Sequence, residues 1–115
     1  MREFSRSERV SSQLQREIAT IIQTELRDPR LGFVTVNEAR VVRDLSVAKV
    51  YVSVIKGNDE ESMLVLNKAV PFIRHALGHR LKMRVIPELK FIFDDSIKKG
   101  MELSDLISNL RYNSD

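Results

Sequence analysis

Ala48-Lys49-Val50-Tyr51-Val52-Ser53-Val54-Ile55 is the stretch of sequence that decides the fold. Every second residue, from Ala48 to Val54, is small or β-branched and apolar, so one side of this segment is suited to a protein core. The residues between them are mixed in polarity, which predicts an opposite side that faces water. The segment is therefore predicted to be a β-strand buried on one face.

The residues before this strand predict a partner for it. Phe33-Val34-Thr35-Val36 opens a run rich in β-branched residues that extends to about Val42. Asp44-Leu45-Ser46 lies between the two runs and carries turn-forming side chains. The two strands are therefore predicted to form an antiparallel hairpin.

The N-terminal segment, residues 5–27, predicts an amphipathic helix. Its apolar residues recur at spacings of three and four: Val10, Leu14, Ile18, Ile21, Ile22 and Leu26. Ser5 and Glu8 have the spacing of a capping box, which predicts the start of the helix. Asp28-Pro29 predicts its end, because the residue before a proline is pushed out of the helical region.

A second helical region is predicted after Gly57-Asn58. Its expected apolar stripe comprises Leu64, Val65, Ala69, Phe72, Ile73 and Leu77. Pro71 lacks a backbone donor and predicts a bend. Gly78 predicts a second break, after which residues 79–84 are expected to continue as a short helix at a new angle.

The remaining segments predict a third strand over residues 87–93 and a last helix over residues 96–110, with Asp94 or Asp95 as its cap. The order is then helix, strand, strand, broken helix, strand, helix. Residues 1–115 are predicted to form a single α+β domain, with the helices on one face of a three-stranded sheet and the other face open.

Composition restricts the classes of function. The chain has no cysteine, which excludes disulfides and thiolate metal sites, and it has only two histidines. No long apolar stretch is present, so no membrane span is predicted and we expect a cytosolic protein. The sequence contains no glycine-rich phosphate loop and no nucleophile elbow. We therefore expect a protein that is not an enzyme.

Positive charge is concentrated in the body of the chain. Residues 1–87 carry fifteen Lys and Arg against ten Asp and Glu, whereas residues 88–115 carry four against six. Residues 74–84 contain four Lys or Arg and both histidines, without an acidic residue. A helix broken at Gly78 would present free amides and a positive dipole end beside these side chains, which suits nucleic-acid phosphates. The alternative is an ordinary solvated helix face.

Four short segments of the sequence, in this order along the chain, match the pattern of a known family. They are Asp28-Pro29-Arg30-Leu31-Gly32-Phe33-Val34-Thr35-Val36; Asp44-Leu45 with Ala48-Lys49-Val50-Tyr51-Val52-Ser53-Val54; Leu77-Gly78 before Arg80-Leu81 and Arg84; and Pro87-Glu88-Leu89-Lys90-Phe91 before Asp94-Asp95-Ser96. With this order of elements, the chain resembles the ribosome-binding factor A family over essentially its whole length.

This resemblance implies a type II KH-like fold, α-β-β-α-(kink)-α-β-α, in which Ala76-Leu77-Gly78 matches the family's Ala-x-Gly interhelical kink. It also implies a factor that binds 16S rRNA in the immature small (30S) ribosomal subunit, supports processing of the 5′ end of that rRNA and matters most in the cold. We expect a monomer, because the sequence shows no obvious exposed apolar stripe. The resemblance implies no catalytic residue, metal, cofactor or small-molecule substrate. The predicted RNA-binding residues are Arg43, Lys49, Arg74, Ala76, Gly78, His79, Arg80, Lys82 and Arg84, with Arg6 and Arg9 as possible extensions.

Two other classes of function compete with this interpretation. An adaptor could bind another protein through the open sheet face. A small metal-dependent enzyme could use His75 and His79, which have the spacing of two ligands on one helix face, together with a carboxylate. The break expected at Gly78 argues against the second, because it would disturb the register between the two imidazoles.

Overall fold

The structure, a computed structural model, describes residues 6–96. In chain order the elements are α1 (Arg6–Thr24), β1 (Phe33–Val41), β2 (Val47–Lys56), α2 (Asp59–Lys68), α3 (Val70–Arg80) and β3 (Glu88–Phe93). The predicted cap at Ser5 lies outside the described residues. So does the predicted last helix, apart from Ser96.

The sheet has the order β1-β2-β3. β1 and β2 pair antiparallel and confirm the predicted hairpin, whereas β2 and β3 pair parallel through the α2–α3 crossover. The alternation predicted for β2 is confirmed, because all four apolar residues on one side of the strand are buried. These residues are Ala48, Val50, Val52 and Val54.

The helices cover that side of the sheet. Leu14, Ile18 and Ile21 of α1 are fully buried and join the apolar residues of the sheet in one cluster. Each such side chain contributes about 1.5–3 kcal/mol by leaving water. Ile73 and Leu77 bring α3 into the same cluster. The described residues thus form two layers with the helices on one sheet face, as predicted.

The turn after α1 begins earlier than expected. α1 ends at Thr24, and the amides of Glu25 and Leu26 both donate to the carbonyl of Ile21, a pattern typical of a helix terminus. Asp28 then accepts hydrogen bonds from the backbone and side chain of Arg30, which lower the pKa of Asp28 to about 2.

The break between the helices lies two residues before Pro71, where a bend is predicted, and not at Gly78. α2 ends at Lys68 and α3 begins at Val70, so the break lies at Ala69. Pro71 stands in the first turn of α3, where its missing N–H costs no hydrogen bond. α3 then continues without interruption through Gly78 to Arg80. The kink assigned to Ala76-Leu77-Gly78 is therefore wrong. The short helix predicted over residues 79–84 is wrong as well, because residues 79 and 80 belong to α3 and residues 81–87 are not helical.

The apolar stripe of this region also needs correction. Leu64 is 59% exposed and Phe72 is 47% exposed, although both were expected in the core. α2 buries Val65 as predicted, but it also buries Ser62 and Leu66, which the predicted stripe omits. The sequence pattern misplaces the buried side of α2 because Ser62, which lies on that side, is polar. The hydroxyl of Ser62 accepts a hydrogen bond from the backbone N–H of Gly32 at 2.9 Å.

A network of polar side chains joins β1 and β2 to the residue that follows β3. The amide nitrogen of Asn37 donates to Ser53 Oγ at 2.7 Å and to Asp94 Oδ2 at 2.9 Å. Hydrogen bonds from Asn37 and from Ser96 lower the pKa of Asp94. The second carboxylate oxygen of Asp94 accepts the Ser96 N–H at 3.0 Å, which is the contact expected of a helix N-cap. Asp94 therefore serves the packing of the sheet end.

Candidate nucleic-acid interface

Arg74 is held by backbone carbonyls. It lies on α3, and its guanidinium donates to the carbonyl oxygens of Pro87 at 3.2 Å and Ile86 at 2.8 Å. These bonds tie α3 to the segment that leads into β3. Arg74 therefore fixes the position of that segment and has fewer donors left for an external phosphate.

Arg80 is engaged in a similar way. Its two terminal nitrogens lie 3.3 Å from carboxylate oxygens of Glu17 on α1 and of Glu25, the residue that follows α1. Its side chain is 34% exposed, so the pairs are partly screened and each contributes at most about 1 kcal/mol. The positive charge of Arg80 is balanced by two acidic neighbours. Arg80 thus joins α3 to α1.

Lys82 and Arg84 are placed differently. Both lie in the segment between α3 and β3, and both are exposed. Within residues 6–96 neither forms an ion pair. His79 is exposed in the last turn of α3. These three residues form what we call the α3-end group: His79, Lys82 and Arg84.

The turn between β1 and β2 lies beside the point where the segment after α3 enters β3. Arg43 is exposed in this turn, and the N–H of Glu88 at the start of β3 donates to the carbonyl of Ser46 at 2.9 Å. α1 reaches this region as well, since Ser11 Oγ accepts the Val41 N–H. We call this region, where β1 ends and β2 and β3 begin, the hairpin end.

Lys49 lies on the open face of the sheet, away from α3. The register places Arg40, Lys49 and Lys90 side by side across the three strands, and we call them the sheet row. Arg40 pairs with Glu38 at 2.9 Å, which raises the pKa of Arg40, and its guanidinium lies 5.4 Å from the ring centre of Tyr51. The structure thus divides the predicted patch between two faces.

The sequence analysis did not identify Arg40 and Lys90 as exposed cations beside Lys49. Lys90 alternates with the buried Leu89 and Phe91, so its exposure could have been inferred. Arg40 could not, because strict alternation from Val34 would turn it toward the core. A register shift between Val36 and Glu38 inserts one residue and turns Arg40 to the open face.

Ala76 and Gly78 lie within α3. Ala76 is half-buried, and Gly78 is exposed with no heavy atom within 4 Å of the place a Cβ would occupy. Neither residue offers the free amides of a helix end. The prediction that Ala76 and Gly78 bind RNA assumed a helix end at this position, and the structure has none there.

Two general properties bear on the rival functions. Among residues 6–96, no three His, Cys, Asp or Glu side chains are close enough to hold a metal ion together. The carboxylate that a metal-dependent enzyme would need beside His75 and His79 is thus not found in this part of the chain. No described helix has the length and apolarity to cross a membrane.

Comparison with known proteins agrees with the fold. The family model for ribosome-binding factor A matches residues 6–107. The crystal structure of ribosome-binding factor A from Thermus thermophilus is 36% identical, with a TM-score of 0.70 over 76% of this chain and 93% of that one. An NMR structure of a Thermotoga maritima protein, described as a putative ribosome-binding factor A, is 34% identical, with a TM-score of 0.68 over 80% and 90%.

A third structure includes a binding partner. It is a homology model of the Thermus thermophilus factor fitted into a cryo-EM map of its complex with the 30S subunit, and it is 35% identical, with a TM-score of 0.65 over 74% of this chain and 91% of that one. The fold shared with these proteins is the α+β, type II KH-like fold. The chain belongs to the ribosome-binding factor A family.

Proposed function

We propose that this protein binds the immature small (30S) ribosomal subunit and supports maturation of the 5′ end of its 16S rRNA. Family membership carries the proposal, since a relative 35% identical to this chain has been fitted into a map of its 30S complex. Lys82 and Arg84 of the α3-end group supply exposed cations for an RNA partner. The protein would act in the cytosol, where subunits are assembled, and as a monomer.

The mechanism we infer is electrostatic. Lys82 and Arg84 would contact rRNA phosphates and release the counterions condensed on them. His79 and Arg43 would extend this contact, while Arg74 and Arg80 keep α3 in place. The protein makes and breaks no covalent bond. It would hold one rRNA conformation until processing is complete, which matters more in the cold because incorrect RNA pairings then persist longer.

A second candidate function is protein binding through the open sheet face. This face carries Glu38 and Glu88 beside the sheet row, with Tyr51 and Ile92 half-buried between them. Mixed charges around an aromatic centre suit a protein partner better than a polyanion. Lys49→Ala with Lys90→Ala would weaken capture by such a partner and leave the affinity for rRNA nearly unchanged.

The processing of rRNA in cells tests the proposed function. Cells that lack the protein should accumulate 16S rRNA with an unprocessed 5′ end, more strongly at low temperature, as measured by mapping 5′ ends. The native gene should restore the mature end, and Lys82→Ala with Arg84→Ala should not, because two phosphate contacts are lost.

The matched control is Lys56→Ala with Lys68→Ala. It removes the same charge from two exposed positions at the end of β2 and the end of α2. This variant should restore processing. Normal 5′ ends in cells without the protein would refute its role in maturation, and full rescue by the Lys82 and Arg84 variant would refute the assigned residues.

A further inference from the structure

The continuity of α3 brings its two histidines together. Because the helix is not broken at Gly78, His75 and His79 lie one turn apart on the same exposed face. Their Nε2 atoms are 3.2 Å apart, and the two rings meet edge to face with centroids separated by 4.7 Å. The break expected at Gly78, which argued against a site shared by the two imidazoles, is therefore absent from α3.

The distance between the two nitrogens fits a shared metal ion. A zinc–imidazole bond is about 2.0–2.1 Å long, so two nitrogens 3.2 Å apart subtend roughly 100° at the ion. This angle is close to that of tetrahedral coordination. Without an ion, the same spacing lets one ring donate a hydrogen bond to the other.

We propose that His75 and His79 chelate one transition-metal ion of the class that prefers imidazole: Zn²⁺, Ni²⁺ or Cu²⁺. The other coordination positions are left to water, since no third protein ligand is found within residues 6–96. An ion bound by two side chains four residues apart links consecutive turns of α3. It therefore stabilises the end of the helix, and this effect does not depend on RNA binding.

The composition of the chain makes the site easy to isolate. These two are its only histidines, and it has no cysteine, so few other side chains bind such ions strongly. Both side chains are exposed, which means that glutamine can replace either one with little effect on folding. Glutamine keeps a polar side chain but is a poor ligand for these metals.

The test is a calorimetric titration of the untagged protein with Zn²⁺, repeated with Ni²⁺. The native chain should bind one ion, and Zn²⁺ should raise its Tm by several degrees, whereas Mg²⁺ should not. His75→Gln, His79→Gln and the double variant should all lose this binding to the same extent, because one imidazole alone does not chelate.

Two results would overturn the proposal. One is the absence of saturable binding by the native chain. The other is a pair of single variants that each keep half of the binding, since that would mean two independent imidazoles. Association with the small subunit is measured separately, in buffer with Mg²⁺ and no transition metal, so failure of this site leaves the proposed function standing.

Discussion

Gly32→Ala should lower the free energy of unfolding by about 3 kcal/mol. A Cβ at Gly32 would lie 2.1 Å from the carbonyl oxygen of Lys56, and backbone atoms cannot move aside as a flexible side chain can. The neighbouring Gly57 has a φ of 111°, and a Cβ there would lie 2.8 Å from the Cα of Gly32. The two loops therefore cross at a distance that only glycines allow. Urea denaturation followed by circular dichroism measures the loss.

Gly78→Ala is the matched control for that experiment. No heavy atom lies within 4 Å of the added Cβ, and the residue is inside α3. Alanine should therefore raise the free energy of unfolding by about 0.5–1 kcal/mol. Clear destabilisation by Gly78→Ala would mean that the chain does break at this residue, contrary to the structure.

Leu66→Ala should cost about 2–5 kcal/mol in stability. The side chain of Leu66 has no exposed surface and belongs to the main apolar cluster, so its removal leaves a cavity. Thermal unfolding monitored by circular dichroism should show a lower Tm. A change within experimental error would contradict the placement of α2.

Leu64→Ala on the same helix is the control for this prediction. Leu64 is 59% exposed, and truncation of a surface side chain usually changes stability by no more than about 0.5 kcal/mol. The sequence pattern makes the opposite assignment, with Leu64 buried and Leu66 outside the stripe. A larger loss for Leu64→Ala than for Leu66→Ala would support the pattern over the structure.

The regular elements were predictable because their periodicity is local. The alternation from Ala48 to Val54 and the stripe from Val10 to Ile22 each record burial on one side, and both are confirmed. The hairpin followed from its turn residues. None of these inferences needs knowledge of a distant partner.

The break in the helical region was placed wrongly for a physical reason. Glycine permits a break but does not require one, and Ile73 and Leu77 hold α3 straight by packing on the core. Proline was a better marker, although it stands just after the break, in the first turn of α3. Whether the helix breaks near the proline or at the glycine depends on tertiary packing.

The candidate interface was predictable only in part. The exposed positions of Lys82 and Arg84 followed from a run without acidic residues. The carboxylates beside Arg80 come from α1 and from the residue that follows it, more than fifty residues earlier in the chain, and no local pattern contains them. The same holds for the carbonyls bound by Arg74, because the loop that supplies them takes its shape from the fold.

The salt dependence of binding to purified immature small subunits tests the central claim most directly. Affinity should fall as salt rises, with a slope of about −0.7 to −0.9 in log affinity against log salt for each phosphate contacted. Lys82→Ala with Arg84→Ala should flatten that slope by roughly 1.5, and the control Lys56→Ala with Lys68→Ala should not. Failure to associate at modest ionic strength, or an affinity that salt does not change, would contradict an electrostatic contact with rRNA.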